Sequence, residues 1–271
     1  MNIYIFYASL VFYLISTFFY LLYFALGREA LEKKGFFFLL GGVSVHFLSL
    51  IVRYIEAGYT PITNLYESLS FLAFLVGSFF IFLRDAYSAK VLGSFILPAI
   101  SIILIISTFL PHEIKPLPPI LRSHYLPIHT IFSFIGHAVF FTSFMVSVLY
   151  LITESYIKKK RLPPFIKKLP SLELLDRINV RCISIGFPFL TTGIITGSLW
   201  ASLAWGSYWS WDPKEVWSLI TWLIYAILIH RRLLVGWMGR KTAYVMILGF
   251  LCILITFLGV NYLMGGRHSY L

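Results

Sequence analysis

Charge is what this sequence has little of: only 12% of its 271 residues are Asp, Glu, Lys or Arg, against 59% that are hydrophobic. A water-soluble globule carries about 25% charged residues, so the scarcity excludes one. No long polar block exists either, which excludes a soluble domain hung on a single anchor. Cysteine is nearly absent. The two present, Cys182 and Cys252, sit in apolar runs and form no C-x-x-C pair, so they read as buried core residues rather than redox groups. Acidic residues number 11 against 22 Lys and Arg, for a net charge of +11. In a soluble protein that excess would suggest nucleic acid, but in an apolar chain Lys and Arg set orientation at the cytoplasmic face. A Gly-rich phosphate loop is also missing, which leaves nothing to suggest nucleotide binding.

What the chain does have is long apolar runs. A spanning helix needs roughly 20 apolar residues, and eight runs qualify, over 3–26, 36–56, 66–83, 91–110, 128–153, 182–202, 214–232 and 243–263. The first has no basic leader and is too long for a signal h-region, so it reads as a retained span. The expected fold is all-α: a polytopic membrane helix bundle forming a single integral domain over 1–271.

Basic residues orient it. One set of connecting segments holds 17 of the 22, including Lys158, Lys159, Lys160, Arg161, Arg231 and Arg232, while the other holds Arg53, Lys115, Arg122, Lys214 and Arg267. The first set is expected in the cytoplasm, with both termini outside. The basic segment 155–181 is then a cytoplasmic loop. Its amphipathic part, Ser171 to Arg177, is expected to lie along the inner membrane surface before the sixth span.

Five of the seven tryptophans fall in 199–217, which this orientation makes an external loop. Indoles a few residues apart form either a platform for a flat apolar ligand or an interfacial aromatic belt. The end of the segment, Asp212-Pro213-Lys214-Glu215, has the elements of a helix start: Asp at N-cap, Pro at N1 and Glu at N3. Asp212 and Glu215 therefore read either as caps or as ligand contacts. Asn64-Leu65-Tyr66-Glu67 begins the third span in a similar way.

Topology sorts the seven histidines. His129 and His268 reach the outer level of the tryptophan segment from distant parts of the chain. Two neutral imidazoles across a flat, aromatic-lined cleft suit a bis-histidine haem, whose iron takes axial nitrogens and whose macrocycle takes apolar walls. His112 and His124 read as exposed loop residues. His230, about 16 residues into the seventh span, lies near the inner face. His46 and His137 fall within spans, where a hydrogen-bonded core histidine is the default. Lys214, Arg122 and Arg267 are the outer cations that would pair with propionates, or else solvated interfacial charges.

The run Trp205-Gly206-Ser207-Tyr208-Trp209-Ser210-Trp211-Asp212-Pro213-Lys214-Glu215 resembles the WWD signature of the haem-handling proteins of cytochrome c biogenesis. Within them the chain is similar to the CcsA/ResC family, the membrane subunit of the system II cytochrome c synthase. Asn64 to Leu69, Tyr125 to His129, Gly259 to Leu263 and Gly266 to Tyr270 support the likeness.

The resemblance implies that haem b is held outside the membrane by His129 and His268. Trp205, Trp209 and Trp211 would contact it, with Gly206 and Asp212 in the same segment. It also implies that His230 is a membrane haem ligand, sharing its haem with a CcsB/ResB partner, and that this chain is the unfused subunit. The reaction implied is attachment of haem to a C-x-x-C-H apocytochrome c, with a thioredoxin-like reductant supplying the reduced thiols. The membrane would be the bacterial cytoplasmic membrane or the thylakoid. His46 matches no family role. Two other readings stay open: system I type delivery of haem to a carrier protein, and a membrane dihaem electron-transfer subunit. A transporter with an aromatic gate finds no internal repeat to support it.

Overall fold

The computed structural model describes residues 1–118, 121–160 and 163–259. Apolar sequence is helical throughout, because backbone polar groups in a membrane must be satisfied within the segment that carries them. The helices are α1 (Asn2–Leu26), α2 (Glu29–Ala57), α3 (Leu65–Tyr87), α4 (Gly93–Thr108), α5 (Tyr125–Lys158), α6 (Leu172–Trp205), α7 (Pro213–Val235) and α8 (Arg240–Leu254). Each of the eight, with α4 counted from Lys90 and α8 continued to Gly259, is long and apolar enough to cross a membrane. The expected spans therefore match in number and order.

Two boundaries differ from expectation. First, α6 is continuous from Leu172, so the amphipathic Ser171 to Arg177 segment is not a separate surface helix but leads into the spanning one. Its side chains explain this: Asp176 is buried and needs partners, which only a rising helix brings to it. Second, the expected external loop 199–217 narrows to 206–212, since the residues on either side are helical.

The helices fall into two compact units. The first comprises Met1–Pro116 with Thr153–Ser171, and hence α1 to α4 and the end of α5. At one end of it Arg53 and Glu67 form an ion pair at 2.9 Å, with side chains only 5% and 1% exposed. The guanidinium also donates to the carbonyl of His112, at 2.6 Å. At the opposite end of α2 and α3, the fully buried Glu32 accepts two hydrogen bonds from Arg84, at 2.9 and 3.2 Å.

The second unit comprises Leu117–Ile152 and Leu172–Leu271. In its core the Phe140 and Tyr225 rings stack at 3.7 Å, 5° from parallel. Asp176 closes one end, accepting from both Arg232 terminal nitrogens (3.2 and 2.6 Å) and from the Gly239 amide (2.8 Å). The other end carries the tryptophans. Cys182 and Cys252 are free and buried, as their apolar surroundings in the sequence suggested.

Candidate functional site

The site is built on α5 and α6. Along α6, Gly193 and Gly197 stand one turn apart, and α5 rests on both. A Cβ at Gly193 would meet the Ser133 hydroxyl at 2.5 Å, and one at Gly197 would meet the His129 ring at 2.6 Å. Small residues at this spacing let two membrane helices approach closely. Here the approach also fixes an imidazole: Nδ1 of His129 lies 2.7 Å from the Gly193 carbonyl oxygen. A carbonyl only accepts, so Nδ1 carries a proton, and in the neutral ring Nε2 then carries the lone pair. The half-buried ring is thus held in the tautomer that ligates metals through Nε2, by the kind of outer hydrogen bond that orients metal-bound histidines.

Beyond Gly197 the helix delivers the tryptophans. Trp200, 2% exposed, meets Trp205 edge-on at 4.9 Å and anchors the last turn of α6. Gly206 ends that helix with φ +76°, its amide donating to the Ser202 carbonyl at 3.0 Å. Glycine takes this left-handed geometry without a Cβ penalty. The chain then doubles back, and the Ser198 hydroxyl donates to the Tyr208 carbonyl at 2.7 Å, one residue from the glycine under His129. Trp209 and Trp211 stand perpendicular at 5.8 Å. Trp211 is 72% exposed and has φ +59°, a left-handed conformation that a bulky residue adopts only where its surroundings impose it.

What imposes it is the start of α7. The Glu215 carboxylate accepts from the Ser210 amide (2.7 Å), the Ser210 hydroxyl (3.2 Å) and the Asp212 amide (3.3 Å). Asp212, buried at the N-cap, accepts from the Lys214 amide at 3.0 Å, and Pro213 occupies N1. The complete capping box shows the helix-start reading of this segment, and it locks the residues flanking Trp211.

The remaining histidines separate. His230 is exposed in a shallow groove with Ala226, Ile227 and Arg231, toward the far end of α7. His46 is fully buried, its Nε2 2.8 Å from the Ser70 hydroxyl, which matches the core expectation. His137 does not match it: the ring is half-buried, edge-on to Phe134 at 6.0 Å, and has no hydrogen-bond partner among the described residues. His112 and His124 are exposed. Arg122 donates to the Leu117 carbonyl at 3.1 Å. His268 and Arg267 lie outside the described residues. Sequence reasoning missed Gly193, Gly197 and Ser198, although the G-x-x-x-G spacing inside an apolar span was a readable signal of close helix approach.

Together these features define a polytopic helical membrane protein that displays an aromatic loop beside an oriented imidazole. The family model for cytochrome C assembly protein matches residues 62–268. The chain belongs to that family. It is 41% identical to the cytochrome c biogenesis protein CcsA of Chlamydomonas reinhardtii, over 82% of this chain and 64% of that protein. Against the protein of the same name from Cyanophora paradoxa the identity is 38%, over 86% and 85%. The fold is that of cytochrome c heme lyase CcmF, with a TM-score of 0.68 at 17% identity, covering 95% of this chain and 46% of the lyase. The chain thus spans about two thirds of the Chlamydomonas relative and about half of the lyase.

Proposed function

We propose that this chain handles haem b for cytochrome c assembly, holding it at the outer face of its membrane and presenting it to apocytochrome c. The observation that carries the reading is the His129 imidazole, locked by the Gly193 carbonyl in the Nε2-ligating tautomer at the level where the tryptophan loop folds back. The donor set suits an iron porphyrin: an imidazole for the axial position and, for the macrocycle, the exposed indole of Trp211 with the half-buried ones of Trp205 and Trp209. Haem is the substrate here. His129 and His268 are its outer ligands, with Trp205, Trp209 and Trp211 against the ring and the Gly206 turn and Asp212 cap shaping the loop.

His230 serves an inner haem position completed by a CcsB/ResB-type partner, so haem travels from the cytoplasmic side outward. Both termini lie outside, in a bacterial cytoplasmic or a thylakoid membrane. The apocytochrome supplies a reduced C-x-x-C-H segment, with a thioredoxin-like reductant behind it. Each thiol adds across a vinyl group, sulfur to one carbon and hydrogen to the other, with no net oxidation. The chain contributes no nucleophile. It contributes position, and holding two reactants in near-attack geometry is worth several orders of magnitude in rate, up to about 10⁵–10⁸ M in effective concentration.

Co-expression of the chain and its partner with a C-x-x-C-H reporter tests this. Covalent haem on the reporter, lost in His129→Ala, is the expected result. Haem bound to the chain but never attached to the reporter would favour the electron-transfer reading instead.

A further inference from the structure

His137 stands in the middle of a spanning helix with a polar ring and nothing to satisfy it among the described residues. Ionisable side chains in membrane helices are expensive, and they face partners, cavities or substrates. His46, buried in α2, has its serine hydroxyl. Among the described residues no second group performs that service for His137.

Its surroundings are specific. On α5 the stripe Ser133, Gly136 and Phe140 faces α6, where it meets Gly193, Leu190 and Gly186. His137 lies on the neighbouring stripe, with Phe134, Phe141 and Phe144. Those rings meet α8: Phe134 touches Phe257 at 5.8 Å, and Phe141 and Phe144 touch Phe250 at 5.5 and 4.9 Å. Between Phe250 and Phe257, α8 changes character, and Ile255–Gly259 forms a π-helical turn. Such wide turns are costly and recur at functional sites. The unpartnered imidazole and the widened turn thus belong to the same α5 and α8 face, lined by phenyl rings.

Depth gives the third observation. At about 1.5 Å per residue, His129 lies about 6 Å from the start of α5 and His137 about 18 Å, while His230 lies about 26 Å from the start of α7. α5 and α7 begin at the same end of this unit, because His129 bonds to the part of α6 that runs on into the tryptophan loop and α7. His137 therefore occupies a level between the other two histidines.

We infer that His137 is an intramembrane ligand for the iron of the porphyrin this chain handles, taking it at a level between His230 and His129. This rests on the haem-handling reading above. The phenyl rings and the π-turn make the surroundings of the imidazole apolar, and the imidazole would supply one axial nitrogen.

The test uses the full chain purified with its partner subunit, and reads haem per chain and the low-spin absorption spectrum. His129→Ala removes the outer ligand, so haem is expected to remain, held deeper. Adding His137→Ala is expected to weaken the retained haem on the order of tenfold or more, as loss of a direct ligand should exceed loss of an outer-shell one. His137→Gly with free imidazole is expected to restore the signal, and His137→Met to change the axial-ligand bands while the chain accumulates normally. Unchanged haem content and spectra in His137→Ala, His137→Met and the double variant, at normal accumulation, would overturn the inference while leaving the outer-site reading intact. A wild-type complex that binds no haem would overturn both.

Discussion

Two helices in this protein begin with the same chemistry and end up doing different things. At α3, Asn64 caps the Glu67 amide at 2.9 Å, and Glu67 reaches back to the Thr63 amide and hydroxyl, both at 2.9 Å. At α7, Asp212 caps the Lys214 amide and Glu215 reaches back to Ser210 and Asp212. The difference lies in what surrounds the glutamate. Glu67 is buried against Arg53, which in turn holds the carbonyls of the His112 segment, so the α3 start ties the first unit together. Glu215 spends its carboxylate on three donors of its own loop, and the product is a fixed platform with exposed Trp211 and Tyr208. One helix start is a staple and the other is a stand. Similar sequence signals, N-x-x-E and D-P-x-E, cannot tell the two apart, because the deciding arginine lies outside the motif, 14 residues before Glu67 on the preceding helix.

Breaking the staple should have the largest effect. Arg53→Ala leaves Glu67 as a buried charge without its partner, which costs about 3–5 kcal/mol, read as a lower unfolding midpoint in detergent. Replacing both Arg53 and Glu67 with leucine should cost much less than Arg53→Ala, since the isolated charge is then gone. If the double variant is as unstable as the single one, the pair is not what holds this end of the first unit.

The stand should respond differently. Gly197→Ala places a methyl group 2.6 Å from the His129 ring, so the imidazole must shift; overpacking of this kind costs about 1–3 kcal/mol, and the outer-site low-spin haem signal should fall more than stability does. Glu215→Ala removes the acceptor for three donors and should cost about 1–2 kcal/mol, with the loop rather than the fold disturbed, visible as faster proteolysis or exchange at 206–212. Trp211→Gly sharpens the contrast most, because it relieves a positive φ. The unfolding midpoint should hold or rise, by about 1 kcal/mol or less, while the outer-site low-spin haem signal drops. A variant that lost stability and kept its haem would show that Trp211 is core and not platform.

The eight spans were legible because crossing a membrane takes a property of composition, a run of roughly 20 apolar residues. Both capping motifs were legible for a similar reason, as they are local. His46 and His137 were not separable, since each is one histidine in an apolar run and only the fold puts Ser70 beside one and, among the described residues, no hydrogen-bonding group beside the other. The start of α6 was misplaced because amphipathicity marks a surface helix and a helix rising past a buried aspartate alike. The seat of His129 depends on two glycines 64 and 68 positions further along the chain. Their spacing announces a close helix contact but not which residue fills it.

Everything proposed for this site turns on one nitrogen. The absorption spectrum of the His129→Ala chain, purified with its partner and compared with wild type at equal accumulation, is the direct measurement. The account predicts that the outer-site low-spin haem signal disappears, and an unchanged spectrum would contradict it.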